Sequence, residues 1–189
     1  MGSKYAWTGV VLAGGKSTRM GQDKAVMEVE GKPLLLHAID RLKPHVREVI
    51  VVGDPRKYGH LWPEVLPDEI PGMGPLGGIV TAMGAARFER LLVLAVDVPG
   101  VNPRLLERLT REMPEEADAL VPRHGDELEP LVAAFHRRCL PAFMGRMMKS
   151  QLSMHSALEE VRTAYLDINP GEDGWPEDLF RNLNSPADL

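Results

Sequence analysis

A chain of 189 residues that is 44% hydrophobic and 26% charged is long enough to bury a core without disulfides, and its composition excludes a disordered or fibrous protein. Its formal net charge of -5, with no long basic run, argues against a nucleic-acid surface, and its single cysteine, Cys139, cannot form an intramolecular disulfide, which fits a reducing, cytoplasmic setting. No apolar run reaches the length of a membrane span and no repeat or low-complexity linker is present, so the expectation is one domain over residues 1–189 with no membrane partner.

Short apolar runs alternate with longer stretches of helical period. Trp7–Ala13 reads as a buried strand. Pro33 opens a helix whose apolar stripe is Leu35, Ile39 and Leu42. Glu48–Val52 is a second strand, ended by Gly53-Asp54-Pro55, and Glu64–Leu66 a short third. A Gly- and Pro-rich loop runs from Pro67 to Pro75, followed by a helix from Leu76 to Ala86 with small residues on one face. Arg90–Val96 is the most apolar strand and leads directly into Asp97. Asn102 reads as an N-cap before Pro103, with the helix running to about Glu112. Strands follow at Asp118–Pro122 and Leu131–Phe135, helices at Arg138–Met148 and Met154–Val161, and a last strand at Ala164–Ile168. Residues Gly171 to Pro176 read as a loop.

Apolar strands alternating with helices imply an α/β fold, a mostly parallel sheet covered on both faces. In such folds ligands sit beyond the C-terminal ends of the strands. Gly14-Gly15 and Asp97 both fall at such ends, so two polar features distant in sequence are expected to be neighbours.

The segment Leu12-Ala13-Gly14-Gly15-Lys16-Ser17-Thr18-Arg19-Met20-Gly21-Gln22-Asp23-Lys24 carries the main functional signal. Gly15-Lys16-Ser17-Thr18 imitates the end of a P-loop, but the glycine required five positions before the Gly-Lys pair is Val10, inside the strand. A P-loop NTPase is therefore rejected. What remains is a strand opening into two glycines, with Arg19 as a rigid fork for phosphate oxygens and Lys24 as a mobile charge. That set points to a phosphate-binding loop rather than a plain turn.

The segment resembles the signature of molybdenum cofactor guanylyltransferases, in which relatives making cytidylyl or sugar-nucleotide products usually carry Leu-Ala-Ala-Gly. Gly14 and Asp23-Lys24 favour the guanylyl branch. The resemblance continues through Gly31-Lys32-Pro33-Leu34, Asp68, Gly74-Pro75-Leu76-Gly77-Gly78, Asp97-Val98-Pro99, Glu129-Pro130-Leu131 and Asn182-Leu183-Asn184-Ser185-Pro186. It implies a three-layer α/β/α sandwich with a Rossmann-like sheet, of the nucleotide-diphospho-sugar transferase type. Residues 1–100 would mainly bind GTP and metal, and residues 101–189 the acceptor. It also implies transfer of GMP from GTP to the phosphate of molybdopterin, with release of pyrophosphate.

On this resemblance Arg19, Lys24 and Asp97 are catalytic. Leu12, Ala13, Gly14, Gly15, Lys24, Asp68, Gly77 and Asp97 bind GTP, Asp97 holds Mg²⁺ (Mn²⁺ being the alternative), and Asn182 and Asn184 bind the pterin. Read from residues alone, Asp97 ends an apolar strand where a metal-binding carboxylate is expected, the competing reading being a turn aspartate. Asp68 could accept from the N1–H and amino group of guanine, where cytosine presents an acceptor. Read alone it is equally a solvated aspartate beside Glu69. In an extended tail Asn182 and Asn184 face one side and Leu183 the other, anchored in the core.

Two departures stand out. Gly53 occupies the place of an asparagine that contacts the nucleotide in some relatives, and Lys149, with His155, stands near a region where relatives carry Gly and Arg. The implied partners are GTP, molybdopterin, and proteins that deliver the pterin or receive the finished cofactor, with no nucleic acid. The expected state is a monomer or weak homo-oligomer. Competing readings are a cytidylyl- or sugar-phosphate nucleotidyltransferase of the same fold, and a non-enzymatic nucleotide-binding regulator.

Overall fold

A computed structural model describes residues 5–14, 23–68 and 72–183. Its ten strands are β1 (Trp7–Leu12), β2 (Glu28–Val29), β3 (Lys32–Pro33), β4 (Glu48–Val52), β5 (Val65–Leu66), β6 (Arg90–Ala95), β7 (Ala119–His124), β8 (Glu127–Leu128), β9 (Val132–His136) and β10 (Thr163–Asp167), among the described residues. The α-helices are α1 (Leu34–Leu42), α2 (Pro55–Tyr58), α3 (Gly74–Ala85), α4 (Pro103–Glu112), α5 (Leu140–Met148) and α6 (Met154–Leu158).

The main sheet has the order β10-β7-β9-β6-β1-β4-β5, with β8 added to β7. β1 is parallel to both β4 and β6, β4 to β5, and β7 to β10. β9 is antiparallel to its neighbours β6 and β7. The sheet is mostly parallel, as expected. The central strands β1 and β6 are buried at every position, which is why they read as unbroken apolar runs rather than alternating ones.

Successive residues of each strand serve opposite faces. Val11, Val51, Leu92 and Leu94 join one core with Leu35, Ile39 and Leu42 of α1 and Leu105, Leu106 and Leu109 of α4. Val10, Ile50, Leu91 and Val93 join the other with Ile79 and Met83 of α3 and Phe143 of α5. Two cores on two faces of one sheet make the three-layer α/β/α sandwich.

Local chemistry sets most boundaries. The Asn102 side chain accepts from Leu105 N–H at 3.1 Å, so the expected N-cap of α4 is real. Pro33 ends β3 and precedes the first residue of α1. Glu30 and Gly31 both have positive φ, 53° and 75°, and close the two-residue turn of the β2–β3 hairpin. Helix α6 stops at Leu158, short of the expected Val161, because the Thr163 hydroxyl donates to the Leu158 carbonyl at 2.8 Å and the chain turns into β10. The helix expected from Arg138 begins at Leu140, after a 3-10 turn over Arg137–Cys139. The hairpin, the four-residue α2 and the two-residue β8 were not expected; each is too short to show a period.

The chain steps from β1 outward to β4 and β5, then crosses back to β6 on the other side of β1. The β1/β6 pair is therefore the topological switch point, and the crevice above its C-terminal end is where such sheets bind ligands.

Candidate active site

β1 and β6 deliver their ends side by side to that crevice. Leu12 pairs with Ala95, and the Val96 N–H donates to the Leu12 carbonyl at 3.2 Å. Asp97 follows, half-buried, its carboxylate 34% exposed. On the β1 side, the Ala13 and Gly14 N–H groups both donate to the Val52 carbonyl, at 3.0 and 3.2 Å. The Gly14 amide is thus already engaged and is not a free anion donor. A Cβ at Gly14 would come no closer than 3.9 Å to any described atom, so packing there does not require a glycine. What the absent side chain provides is room for something to lie against the backbone.

Lys24 enters from the turn after β1. Asp23 caps the 3-10 turn Lys24–Val26, its Oδ1 accepting from Ala25 N–H at 3.1 Å. From the first residue of that turn the Lys24 ammonium donates to the Leu183 carbonyl and lies 3.6 Å from Asp97 Oδ2. The Asp23 carboxylate points the other way, to the Tyr58 hydroxyl at 2.7 Å and the Lys57 ammonium at 3.2 Å. Of these two carboxylates Asp97 is the one at the crevice. It offers hard oxygen at a site that phosphate oxygens can share, which is the donor set Mg²⁺ takes.

Asp68 and Gly77 form a second group at the same edge of the sheet. Asp68 follows β5, and its Oδ1 lies 3.5 Å from where a Gly77 Cβ would stand. Gly77 is buried near the start of α3, where a Cβ would meet that of Met73 at 2.7 Å. Gly78 faces the sheet itself, where a Cβ would stand 3.1 Å from Leu12 Cδ2. The small residues of this turn therefore serve close packing on β1, and Asp68 beside them is half-buried, with its Oδ1 covered.

The tail up to Leu183 borders the crevice. Leu183 is buried in the core, its N–H donating to the Asp97 carbonyl at 2.8 Å, so the leucine between the two asparagines is the anchor it was read to be. Asn182 is exposed and lines a cleft of about 490 Å³ with His124, Glu127, Glu129, Phe180 and Arg181. His124 stacks on Phe180, ring centroids 5.2 Å apart, and its Nε2 is 2.9 Å from Glu129 Oε1. The ligating atoms of His124, Glu127 and Glu129 lie within 4.8 Å of one another, but the His124–Glu129 hydrogen bond already engages two of the three groups.

The structure thus brings together Leu12, Ala13, Gly14, Lys24 and Asp97, sets Asp68 beside Gly77, and runs Asn182 along the neighbouring cleft. Gly15, Arg19 and Asn184 lie outside the described residues. Lys149 and His155 are exposed on the α5–α6 side. Tyr58, and the clamp on Asp23, had no expectation from sequence. The signal for them was Gly53, where a Cβ would stand 2.6 Å from the Tyr58 ring.

A family profile described as a MobA-like NTP transferase domain matches residues 9–164. The chain belongs to that family. As a MobA-like NTP transferase it is an enzyme of the nucleotidyltransferase class. It is 38% identical over 184 residues, 96% of this chain and 89% of the relative, to a Pelotomaculum thermopropionicum protein named "Probable molybdenum cofactor guanylyltransferase". It is 31% identical over 191 residues, 99% and 90% of the two chains, to the molybdenum cofactor guanylyltransferase of Vibrio cholerae. The crystal structure of molybdopterin-guanine dinucleotide biosynthesis protein A from Archaeoglobus fulgidus superposes with a TM-score of 0.79 at 26% identity, covering 96% of this chain and 94% of that one. The sandwich expected of MobA-like transferases is the fold found. Among the described residues no helix is long and apolar enough to cross a membrane.

Proposed function

We propose that this chain transfers GMP from GTP to the terminal phosphate of molybdopterin, releasing pyrophosphate. The observation that carries the reading is the pairing of Lys24 with Asp97, 3.6 Å apart at the β1/β6 switch point. A cation and a carboxylate held there suit a triphosphate and the divalent ion that accompanies it. The names of the relatives favour the guanylyl product over the cytidylyl or sugar-phosphate alternatives.

In this reading GTP lies along the ends of β1 and β6. Leu12, Ala13, Gly14 and Gly15 present backbone to it, and Lys24 and Arg19 hold phosphate oxygens. Asp68, beside Gly77, accepts from the donor edge of guanine. The acceptor enters from the cleft lined by Asn182 and is also held by Asn184, so that residues 1–100 mainly serve GTP and residues 101–189 mainly the acceptor. A phosphate oxygen of the acceptor attacks the α-phosphorus in line; the bond from that phosphorus to the bridging oxygen breaks, and pyrophosphate leaves with its electron pair. The nucleophile is already an ionised phosphate, so no general base is needed, and the residues orient the reactants and offset charge. Asp97 would hold Mg²⁺, or Mn²⁺ in its place, which when bound neutralises charge on the triphosphate.

The test is direct. Purified protein with GTP, Mg²⁺ and molybdopterin is expected to release pyrophosphate and form the guanine dinucleotide, and chelating the divalent ion should stop it. Thermal-shift titration should rank GTP above CTP, ATP and UTP. A preference for CTP would remove the guanylyl assignment, and binding of GTP without pyrophosphate release would make the chain a regulator rather than an enzyme.

A further inference from the structure

Gly53 follows β4 at the edge of the crevice, and the structure shows what the glycine is for. Its φ is outside the left-handed region, so the backbone does not demand it. Space does: a Cβ at Gly53 would stand 2.6 and 2.8 Å from Cε2 and Cδ2 of Tyr58. Gly53 and Tyr58 are a matched pair, one residue reduced to backbone so that the ring of the other can lie on it. Tyr58 is 3% exposed.

Burial and then the neighbouring Asp23 carboxylate hold the Tyr58 phenol well above its ordinary pKa, so it remains a proton donor throughout the working pH range. Its hydroxyl is 2.7 and 2.9 Å from the two oxygens of Asp23 and 3.4 Å from the Ala13 carbonyl, the residue that ends in the crevice. The same carboxylate caps the turn that begins with Lys24 and receives the Lys57 ammonium. Tyr58 and Lys57 close the short helix α2, itself capped by Asp54 on Arg56 N–H at 2.9 Å. A continuous linkage therefore runs from α2 through Asp23 to the backbone of Lys24, whose ammonium sits between Asp97 and the Leu183 carbonyl. Lys57 is 58% exposed and its pair is screened, leaving the buried hydroxyl as the directional member of the clamp.

We propose that Tyr58, seated on Gly53, is a positioning residue for Lys24: its hydroxyl fixes the Asp23 carboxylate and so holds the turn from which Lys24 reaches the Asp97 side of the crevice. The catalytic part of the claim rests on the reading of Lys24 as a phosphate-holding residue; the linkage itself does not.

Tyr58→Phe keeps the ring on Gly53 and removes only the hydroxyl. In full-length protein without nucleotide, competitive acetylation with acetic anhydride, read by mass spectrometry, should show Lys24 labelled several-fold faster in Tyr58→Phe than in wild type, with Lys43 unchanged. Steady-state GMP transfer should lose about tenfold in kcat, the scale of one hydrogen bond to a charged group. In a Lys24→Ala background Tyr58→Phe should add no further loss. Wild-type labelling of Lys24 in Tyr58→Phe overturns the linkage. Faster labelling with unchanged kcat, or a fully additive loss on Lys24→Ala, overturns the positioning role. If Lys24→Ala itself transfers GMP normally, the phosphate-holding reading fails while the labelling result still decides the linkage.

Discussion

Lys24 and Asp97 face each other at 3.6 Å across the end of the β1/β6 pair, the first carried by the turn after β1 and the second by the residues after β6. Their side chains are 18% and 34% exposed, so the pair contributes about 1 kcal/mol or less to stability. In the proposed reaction its importance is chemical rather than structural. Asp97→Ala and Lys24→Ala are each expected to lower GMP transfer by about 10²–10³-fold, the scale for losing one preorganised charge-stabilising group. Melting temperature should move by only a few degrees. Pyrophosphate release assayed beside a thermal melt separates the two effects, and normal transfer by Asp97→Ala would remove the metal assignment.

Asp68 stands 3.5 Å from the Cβ position of Gly77, and that closeness makes base selection testable. Asp68→Ala should weaken GTP binding by about tenfold, the cost of hydrogen bonds to a charged acceptor, while leaving weak CTP binding as it was. Gly77→Ala should act on the same step, because its new methyl would stand 2.7 Å from Met73 Cβ and force a shift in the turn beside Asp68. Calorimetric titration with both nucleotides checks this. Equal losses for GTP and CTP would mean that Asp68 supports the loop and does not read the base.

Asp118 tests the far end of the sheet. Burial alone would raise its pKa, but bonds from Arg162 and Arg138 outweigh that and hold the carboxyl well below the usual range. The folded value lies below the unfolded one of about 3.9. Its stabilisation is therefore fully present above about pH 4 and is lost as pH falls toward the folded value. Asp118→Asn should cost about 2 kcal/mol at pH 7, since two arginines lose their charged acceptor. In urea denaturation across pH, the gap between wild type and variant should narrow below about pH 4. A gap constant from pH 7 to pH 3 would show that the charge is not what matters.

Cys139 is fully buried on the α5 side, its thiol pushed up to about 12 by burial and the Asp118 charge. A thiol held neutral and inaccessible is a poor nucleophile. Native protein should therefore react with a disulfide reagent at a rate limited by unfolding, and immediately in denaturant. Fast labelling of native protein would contradict the packing around β9 and α5.

The sequence conveyed the sheet and the crevice because their chemistry is local. Strands buried on both faces write themselves as continuous apolar runs, and Asp97 was visible as the charge ending the most apolar of them. Asn102 announced α4 through its own cap. The direction of β9 was not legible, since an antiparallel strand inserted between β6 and β7 has the same apolar composition as a parallel one. Leu183 could be read as an anchor from alternation in the tail, but not that its carbonyl would receive Lys24. The clamp on Asp23 was hidden because its donor, Tyr58, lies beyond β2, β3, α1 and β4, and only the glycine at position 53 marked the place.

Gly53 and Tyr58 should consequently behave as one unit in stability. Gly53→Ala places a methyl against a buried ring that is bonded at its far end to Asp23 and cannot simply retreat, so an overpacking cost of about 1–3 kcal/mol is expected. Tyr58→Ala empties the space and should cost about 3–5 kcal/mol. In the double variant the methyl meets no ring, so the overpacking term disappears and the combined loss should fall short of the sum by about 1 kcal/mol or more. Denaturant melts of the four proteins measure the coupling. Strict additivity would mean that the ring moves aside freely when Gly53 gains its Cβ, and Tyr58 would then be too loosely held to fix anything.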